Sequence, residues 1–150
     1  MNPFRKEKIC LYYFGAGHTN GDSWVHLEKE NIVHTGDLLF NRRHPNIDKS
    51  AGADITNWIK MLDQAAGFFN KKTRYVCGHA ATDYSVVCKK EDLLAFRDYL
   101  TNVLIFTEAA IKTGLTKDEF LKSTEIPGSP EWKGSGIEKP LSAAWEELNG

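Results

Sequence analysis

Hydrophobic positions along this chain change texture from short β-type runs to long helical periods. Ile9-Cys10-Leu11-Tyr12-Tyr13-Phe14 is apolar at every position, the pattern of a strand buried from both sides. Asp22 to Leu27 alternates, with Trp24 and His26 on one face and Val25 and Leu27 on the other. Glu30-Asn31 then makes a tight turn into Ile32-Val33-His34-Thr35, and the two segments read as an antiparallel hairpin. Asp54 can cap a helix in which Ile55, Trp58, Ile59, Leu62 and Ala66 recur at helical spacing. Arg74-Tyr75-Val76-Cys77 is a further short strand. From Glu91 to Lys112 a long helix is expected, with Leu93, Phe96, Leu100, Val103, Leu104 and Ile111 on one side and Gly114 as its stop. Thr116-Lys117-Asp118-Glu119 is a capping-box sequence, and Ser142 to Leu148 can form a last turn or two. Ile126-Pro127-Gly128-Ser129-Pro130 and Gly134-Ser135-Gly136 read as surface loop. These elements predict an α/β fold, a small mixed sheet with helices packed on it.

Composition narrows the class without naming a function. The 150 residues are 41% hydrophobic and 26% charged, which suits one globular domain and excludes a disordered or fibrous chain. Nineteen basic against twenty acidic residues give a net charge of -1, so there is no basic excess to hold nucleic acid or an anionic membrane surface. The longest apolar run, Ile9 to Ala16, is far short of a membrane span. Three scattered cysteines, Cys10, Cys77 and Cys88, form no Cys-x-x-Cys pair and suit a reducing compartment. With no leader pattern in Met1 to Lys6, the expected location is the cytoplasm.

Three segments end alike, in an apolar run, then glycine, then a residue able to bind metal. They are Phe14-Gly15-Ala16-Gly17-His18, Val33-His34-Thr35-Gly36-Asp37 and Tyr75-Val76-Cys77-Gly78-His79. A strand fixes the backbone, and glycine lets it turn so that the next side chain projects over the sheet edge. Two imidazoles and a carboxylate suit zinc and tolerate iron or manganese. Each element also has an ordinary reading: a histidine after a strand is often a surface group, and Gly-Asp is often a plain turn. His26 reads as a packed strand residue and His34 as a hydrogen-bonded structural group. His44 lies in the polar loop Asn41-Arg42-Arg43-His44-Pro45, which is either solvated or the border of a substrate pocket where Arg42 or Arg43 meets an anionic group. Cys77 and Cys88 have no base nearby in sequence and read as buried and inert.

The wording of the blocks is more specific than their spacing. Gly17-His18-Thr19, then Gly36-Asp37-Leu38-Leu39-Phe40, then Gly78-His79 resembles the metallo-β-lactamase superfamily, in that family's order. Asn57 to Asp63 resembles the helix between the last two blocks, and Ala144 to Leu148 the tail of its broad hydrolase branch. The likeness runs from Ile9 to about Leu104. It implies His18 as a ligand of a first metal, His79 as a ligand of a second, and Asp37 as the carboxylate bridging them. Thr19 would orient His18, and Asp22 would fix the turn into the next strand. The implied activity is hydrolysis, by attack of a metal-bound hydroxide on an ester, thioester or amide-like bond of a small molecule.

One departure accompanies the likeness. The family's upstream His-x-His-x-Asp-His block is absent, and only seventeen residues precede His18. The chain therefore resembles the C-terminal half of an αβ/βα sandwich, a single partial domain over 1–150 with its core at 9–113 and a helical tail at 114–150. Each metal would find at most two ligands here, so weak binding and an incomplete hydrolase are expected of this chain alone. The alternative is a half-domain without turnover that acts in binding or assembly. Either way one sheet face would lack its cover, which implies a homo-oligomer or a partner carrying the missing N-terminal half.

Overall fold

An antiparallel meander opens the structure: β1 (Ile9–Tyr12) pairs with β2 (Trp24–Leu27), and β2 with β3 (Ile32–Asn41). The computed structural model describes residues 6–150, so the leader reading, which rests on 1–5 as well as Lys6, lies outside the described residues but for Lys6. After β3 the chain crosses through α1 (Ile55–Phe68) to β4 (Arg74–Ala80), which lies parallel to β3. A two-residue strand, β5 (Val87–Cys88), pairs antiparallel with β4 and completes the order β1-β2-β3-β4-β5. Helices α2 (Lys90–Lys112), α3 (Lys117–Phe120) and α4 (Glu138–Asn149) follow. No helix among the described residues is long and apolar enough to cross a membrane. The fold is the mixed α/β layer the hydrophobic pattern predicts.

Local chemistry accounts for the helix ends. Asp54 accepts the Asn57 N–H at 2.7 Å, and Ile55, Trp58, Leu62 and Ala66 turn inward as the spacing requires. Thr116 and Glu119 close the capping box of α3. Helix α4 starts at Glu138, ahead of the expected Ser142, because Pro140 falls in the first turn, where no N–H has an intrahelical acceptor to lose. Glu147, near the end of α4, accepts the α1 N–H groups of Ile55 at 2.9 Å and Thr56 at 2.8 Å and the Lys49 ammonium at 2.9 Å. Burial alone would raise its pKa, but these donors outweigh it and hold the carboxyl below its ordinary value.

The sheet has two unlike faces. Register places Cys10, His26, Val33, Tyr75 and Cys88 in one row, and Val33, Tyr75 and Cys88 are buried with Trp24, Trp58, Leu62 and Phe96 in the core beneath the helices. The opposite row is Leu11, Val25, His34, Val76 and Val87, with Leu11 70% and Val87 48% exposed. This corrects two expectations. β1 is covered on one side only, because Ile9, Leu11 and Tyr13 face away from the helices. His34 is exposed on the same face, with no hydrogen bond from its ring among the described residues.

Candidate metal centre

β3 does not stop at Thr35 as its glycine suggests. It runs on to Asn41 with register shifts on either side of Gly36, which has φ 51° and lies opposite Cys77. That irregularity, tolerated by glycine, lets Asp37 leave the ladder while Leu38, Leu39 and Phe40 return to the core. β4 likewise continues to Ala80, and His79 pairs in register with Phe40. Asp37 and His79 therefore stand toward the C-terminal ends of two adjacent parallel strands. His18 arrives from the loop between β1 and β2.

The three side chains named from sequence come together. His18 Nε2 lies 4.0 Å from Asp37 Oδ2, and His79 Nε2 lies 3.4 Å from Asp37 Oδ1. Each imidazole thus faces a different carboxylate oxygen. Both separations exceed the hydrogen-bond range for these atoms. Two ligands at about 2.1 Å from one tetrahedral zinc are roughly 3.4 Å apart, so the His79 pair has ligand spacing and the His18 pair is somewhat open. Among the described residues no three His, Cys, Asp or Glu side chains make a closed set around one ion. The arrangement is two donor pairs sharing one carboxylate.

Neighbouring groups fit that use. The Cα of Gly78 comes so close to Asp37 that a Cβ there would collide with Oδ1, so glycine is what leaves room for the carboxylate beside His79. His18 Nδ1 faces Asp22 Oδ1 at 4.0 Å while Nε2 faces Asp37. The other Asp22 oxygen accepts the Thr19 N–H, so Asp22 both closes the turn and faces the ring. The Thr19 hydroxyl instead accepts from the Gly21 N–H at 3.2 Å. Trp58 lies edge-on to His18 at 5.7 Å, and Phe40 stacks on His79 at 5.0 Å. Helix α1 holds both segments: Asn57 Nδ2 donates to the Ala16 carbonyl in the loop after β1 at 2.6 Å, and Trp58 Nε1 donates to the Leu38 carbonyl in β3 at 3.1 Å. Of these supports, Asp22, Gly78 and the helix are named from the sequence, while the bonds from Asn57 and Trp58 are not.

The loop after β3 divides its three candidates. Arg42 is committed elsewhere: it donates to Asp92 at 2.7 Å and Asn41 at 2.9 Å and lies between the rings of Tyr84 and Trp132. Arg43 is exposed and lines a small cavity that His79 also lines. His44 is buried rather than solvated, with Nδ1 2.8 Å from the Tyr99 hydroxyl, and burial lowers its pKa against a weaker opposing pull from Glu138. Cys77 and Cys88 are buried with their sulfurs 3.7 Å apart. His26 packs on Phe69 at 5.2 Å.

Comparison with known proteins bears on the same segment. A family profile described as "Metallo-beta-lactamase superfamily" matches residues 11–79, a span containing His18, Asp37 and His79. The "Metallo-beta-lactamase type 2" of Bacteroides fragilis is 35% identical over 71 residues, covering 47% of this chain and 28% of that protein. Among solved structures, the inverting sec-alkylsulfatase Pisa1 from Pseudomonas sp. matches with a TM-score of 0.75 at 16% identity, over 96% of this chain and 24% of that one. A metallo-beta-lactamase family protein from Thermus thermophilus matches with a TM-score of 0.66 at 16% identity, over 95% and 44%. The metallo-beta-lactamase from Pontibacter korlensis gives 0.54 at 22% identity, over 64% and 42%. The chain thus spans less than a third of the curated relative and less than half of each of these structures, whose likeness at such identities concerns the fold.

Proposed function

We propose, from the match of residues 11–79 to the metallo-β-lactamase superfamily, that this chain belongs to that superfamily and carries part of a metal-dependent hydrolase centre. In this reading His18 holds one divalent cation through Nε2, His79 holds a second, and Asp37 lies between them with one oxygen toward each. Zinc is the cation best suited to this donor set, with iron or manganese as alternatives. When bound, it would supply Lewis-acid activation of water toward an ester, thioester or amide-like bond of a small molecule. The chain's own residues prepare the place: Asp22 faces the second nitrogen of the His18 ring, Gly78 makes room for Asp37, and Phe40 and Trp58 pack beside the imidazoles of His79 and His18. The observation that carries the reading is one carboxylate flanked by two imidazoles on separate oxygens. Equilibrium dialysis against zinc tests it. Weak retention by the native chain, abolished in Asp37→Ala, is expected; equal retention by both would refute it.

A second reading is favoured by a different observation, the uncovered sheet face bearing Ile9, Leu11, Tyr13 and Val87. An apolar row of this kind suits assembly, with a second copy or with a chain supplying the rest of the fold. With two protein donors per cation, turnover would depend on groups from that partner. A half-domain that assembles without turnover is the corresponding alternative.

A further inference from the structure

Cys77 and Cys88, which the proposed centre does not use, stand 11 residues apart in sequence and meet across the β4–β5 ladder. Register sets Cys88 opposite Tyr75, and the Cys77 N–H donates to the Val86 carbonyl at 3.0 Å, so the cysteines are diagonal neighbours on the core face. Their sulfurs touch at 3.7 Å, and both are free thiols. The contact has a direction: Cys88 Sγ donates toward Cys77 Sγ, and Cys77 Sγ donates to the His79 carbonyl at 3.2 Å. Cys77 is 4% exposed and Cys88 is fully buried, which would close the pair to reagents if the strand beside it were firm. That strand is short. β5 has two residues and ends the sheet order, and Thr82 to Val87 is exposed at every residue. An end strand with so exposed an approach opens locally without global unfolding. Cys10 stands apart on β1, at the opposite end of the sheet, with its thiol on the Glu28 carboxylate at 3.1 Å.

We propose that Cys77 and Cys88 are a modification site, a dithiol that hydrogen peroxide closes to a disulfide beside His79 and that a reductant reopens. Closure runs in two steps. The Cys77 sulfur, which receives the Cys88 donor, attacks one peroxide oxygen; an S–O bond forms, the O–O bond breaks, and the thiol proton leaves with the departing oxygen as water. The Cys88 sulfur then attacks the resulting sulfenic acid at Cys77; an S–S bond forms, the S–O bond breaks, and the hydroxyl leaves with the Cys88 proton as a second water. The two thiols lose two electrons, and the peroxide takes both. A disulfide bond is about 2.05 Å long, so the sulfurs must approach by roughly 1.7 Å. β5 yields part of that distance because two residues hold it, and β4 yields the rest, where Cys77 gives up its bond to the His79 carbonyl. Gly78, between Cys77 and His79, packs directly on Asp37, so closure disturbs the spacing of His79 and Asp37. That consequence rests on the proposed metal centre; the disulfide rests on the thiol pair alone.

The test treats the reduced full chain, in chelator, with stoichiometric hydrogen peroxide and then maps its thiols by mass spectrometry. Cleavage before Asp83 falls between the two cysteines, so a bonded pair leaves two peptides joined. Joined peptides are expected, with the Cys10 thiol kept and both other thiols recovered by a phosphine reductant. Cys10→Ser should give the same joined product. Cys88→Ala should stop at a Cys77 sulfenic acid that dimedone traps, an adduct the native chain escapes. Loss of the Cys10 thiol ahead of the pair, or joining only after unfolding in urea, would overturn the proposal. Zinc dialysis of the oxidised and reduced chains, with the phosphine removed, reads the link to the metal centre. Retention about tenfold weaker after oxidation is expected in the native chain and no redox difference in Asp37→Ala. Equal retention in both native forms, or a difference that persists in Asp37→Ala, would overturn that link. Because the thiol map is taken without metal, its failure is separate from failure of the metal reading.

Discussion

Replacing Gly78 with alanine is the sharpest structural challenge to the proposed centre. A Cβ at this position would collide with Asp37 Oδ1 and lie 3.1 Å from the carbonyl carbon and oxygen of Gly36. The Gly36 backbone cannot easily yield, because it holds φ 51° between two register shifts of β3. The Asp37 side chain is the softer partner, so it should swing away from His79. Forcing a methyl into an occupied space costs about 1–3 kcal/mol. Displacing the carboxylate should also weaken zinc retention by about 10- to 100-fold, the range seen when groups that position metal ligands are lost. Urea denaturation and zinc dialysis read the two effects. Gly67→Ala is the matched control: it lies in α1 with open space around the built Cβ, so it should stabilise by about 0.5–1 kcal/mol. If Gly78→Ala is as stable as the native chain and holds zinc equally well, the close approach of β4 to Asp37 is not what shapes the site.

Other substitutions probe the surroundings. Glu147→Gln keeps the shape but removes the charge that meets Lys49 and the N-terminus of α1, so urea denaturation at pH 7 should show a loss of about 1–2 kcal/mol. Since folding depresses the Glu147 pKa, its contribution is complete above the ordinary value of 4.5 and is lost as pH falls through the folded value, so the stability curves of the native chain and the Glu147→Gln variant should converge in acid. Tyr99→Phe leaves buried His44 Nδ1 without its partner and should cost about 1–2 kcal/mol by the same assay at pH 8. His44 also has a folded pKa below 6.5, so it contributes stability that is complete above that pH and declines as pH drops toward the folded value. On the uncovered sheet face, sedimentation velocity should find concentration-dependent association of the native chain and its reversal in Leu11→Glu; a native monomer at micromolar concentration would count against the assembly reading.

How far the sequence can be read depends on how local each determinant is. Helices α1 and α2 are legible because their apolar period and caps lie within the segment, as with Asp54 and Asn57. The blocks containing His18, Asp37 and His79 are legible as three separate signals, and the sheet brings them together. β1 departs from expectation because an all-apolar run records which faces are built for contact, not which are covered in one chain. The end of β3 departs because Gly36 interrupts the local pattern, while parallel pairing with β4 carries the strand on to Asn41. His44 reads from sequence as a loop residue because Tyr99, which buries and anchors it, is supplied by a distant helix. The same holds for the Glu147 clamp on α1, made across 92 residues. Contacts between remote segments leave no periodic trace.

The direct measurement is imidazole NMR of the native chain and of Asp37→Ala during zinc titration. Sharing of cations through Asp37 predicts that the ring signals of His18 and His79 move together, that those of His26 and His34 stay still, and that the paired response disappears without the carboxylate. Movement of only one of the two rings, or an unchanged response in Asp37→Ala, would contradict the shared centre.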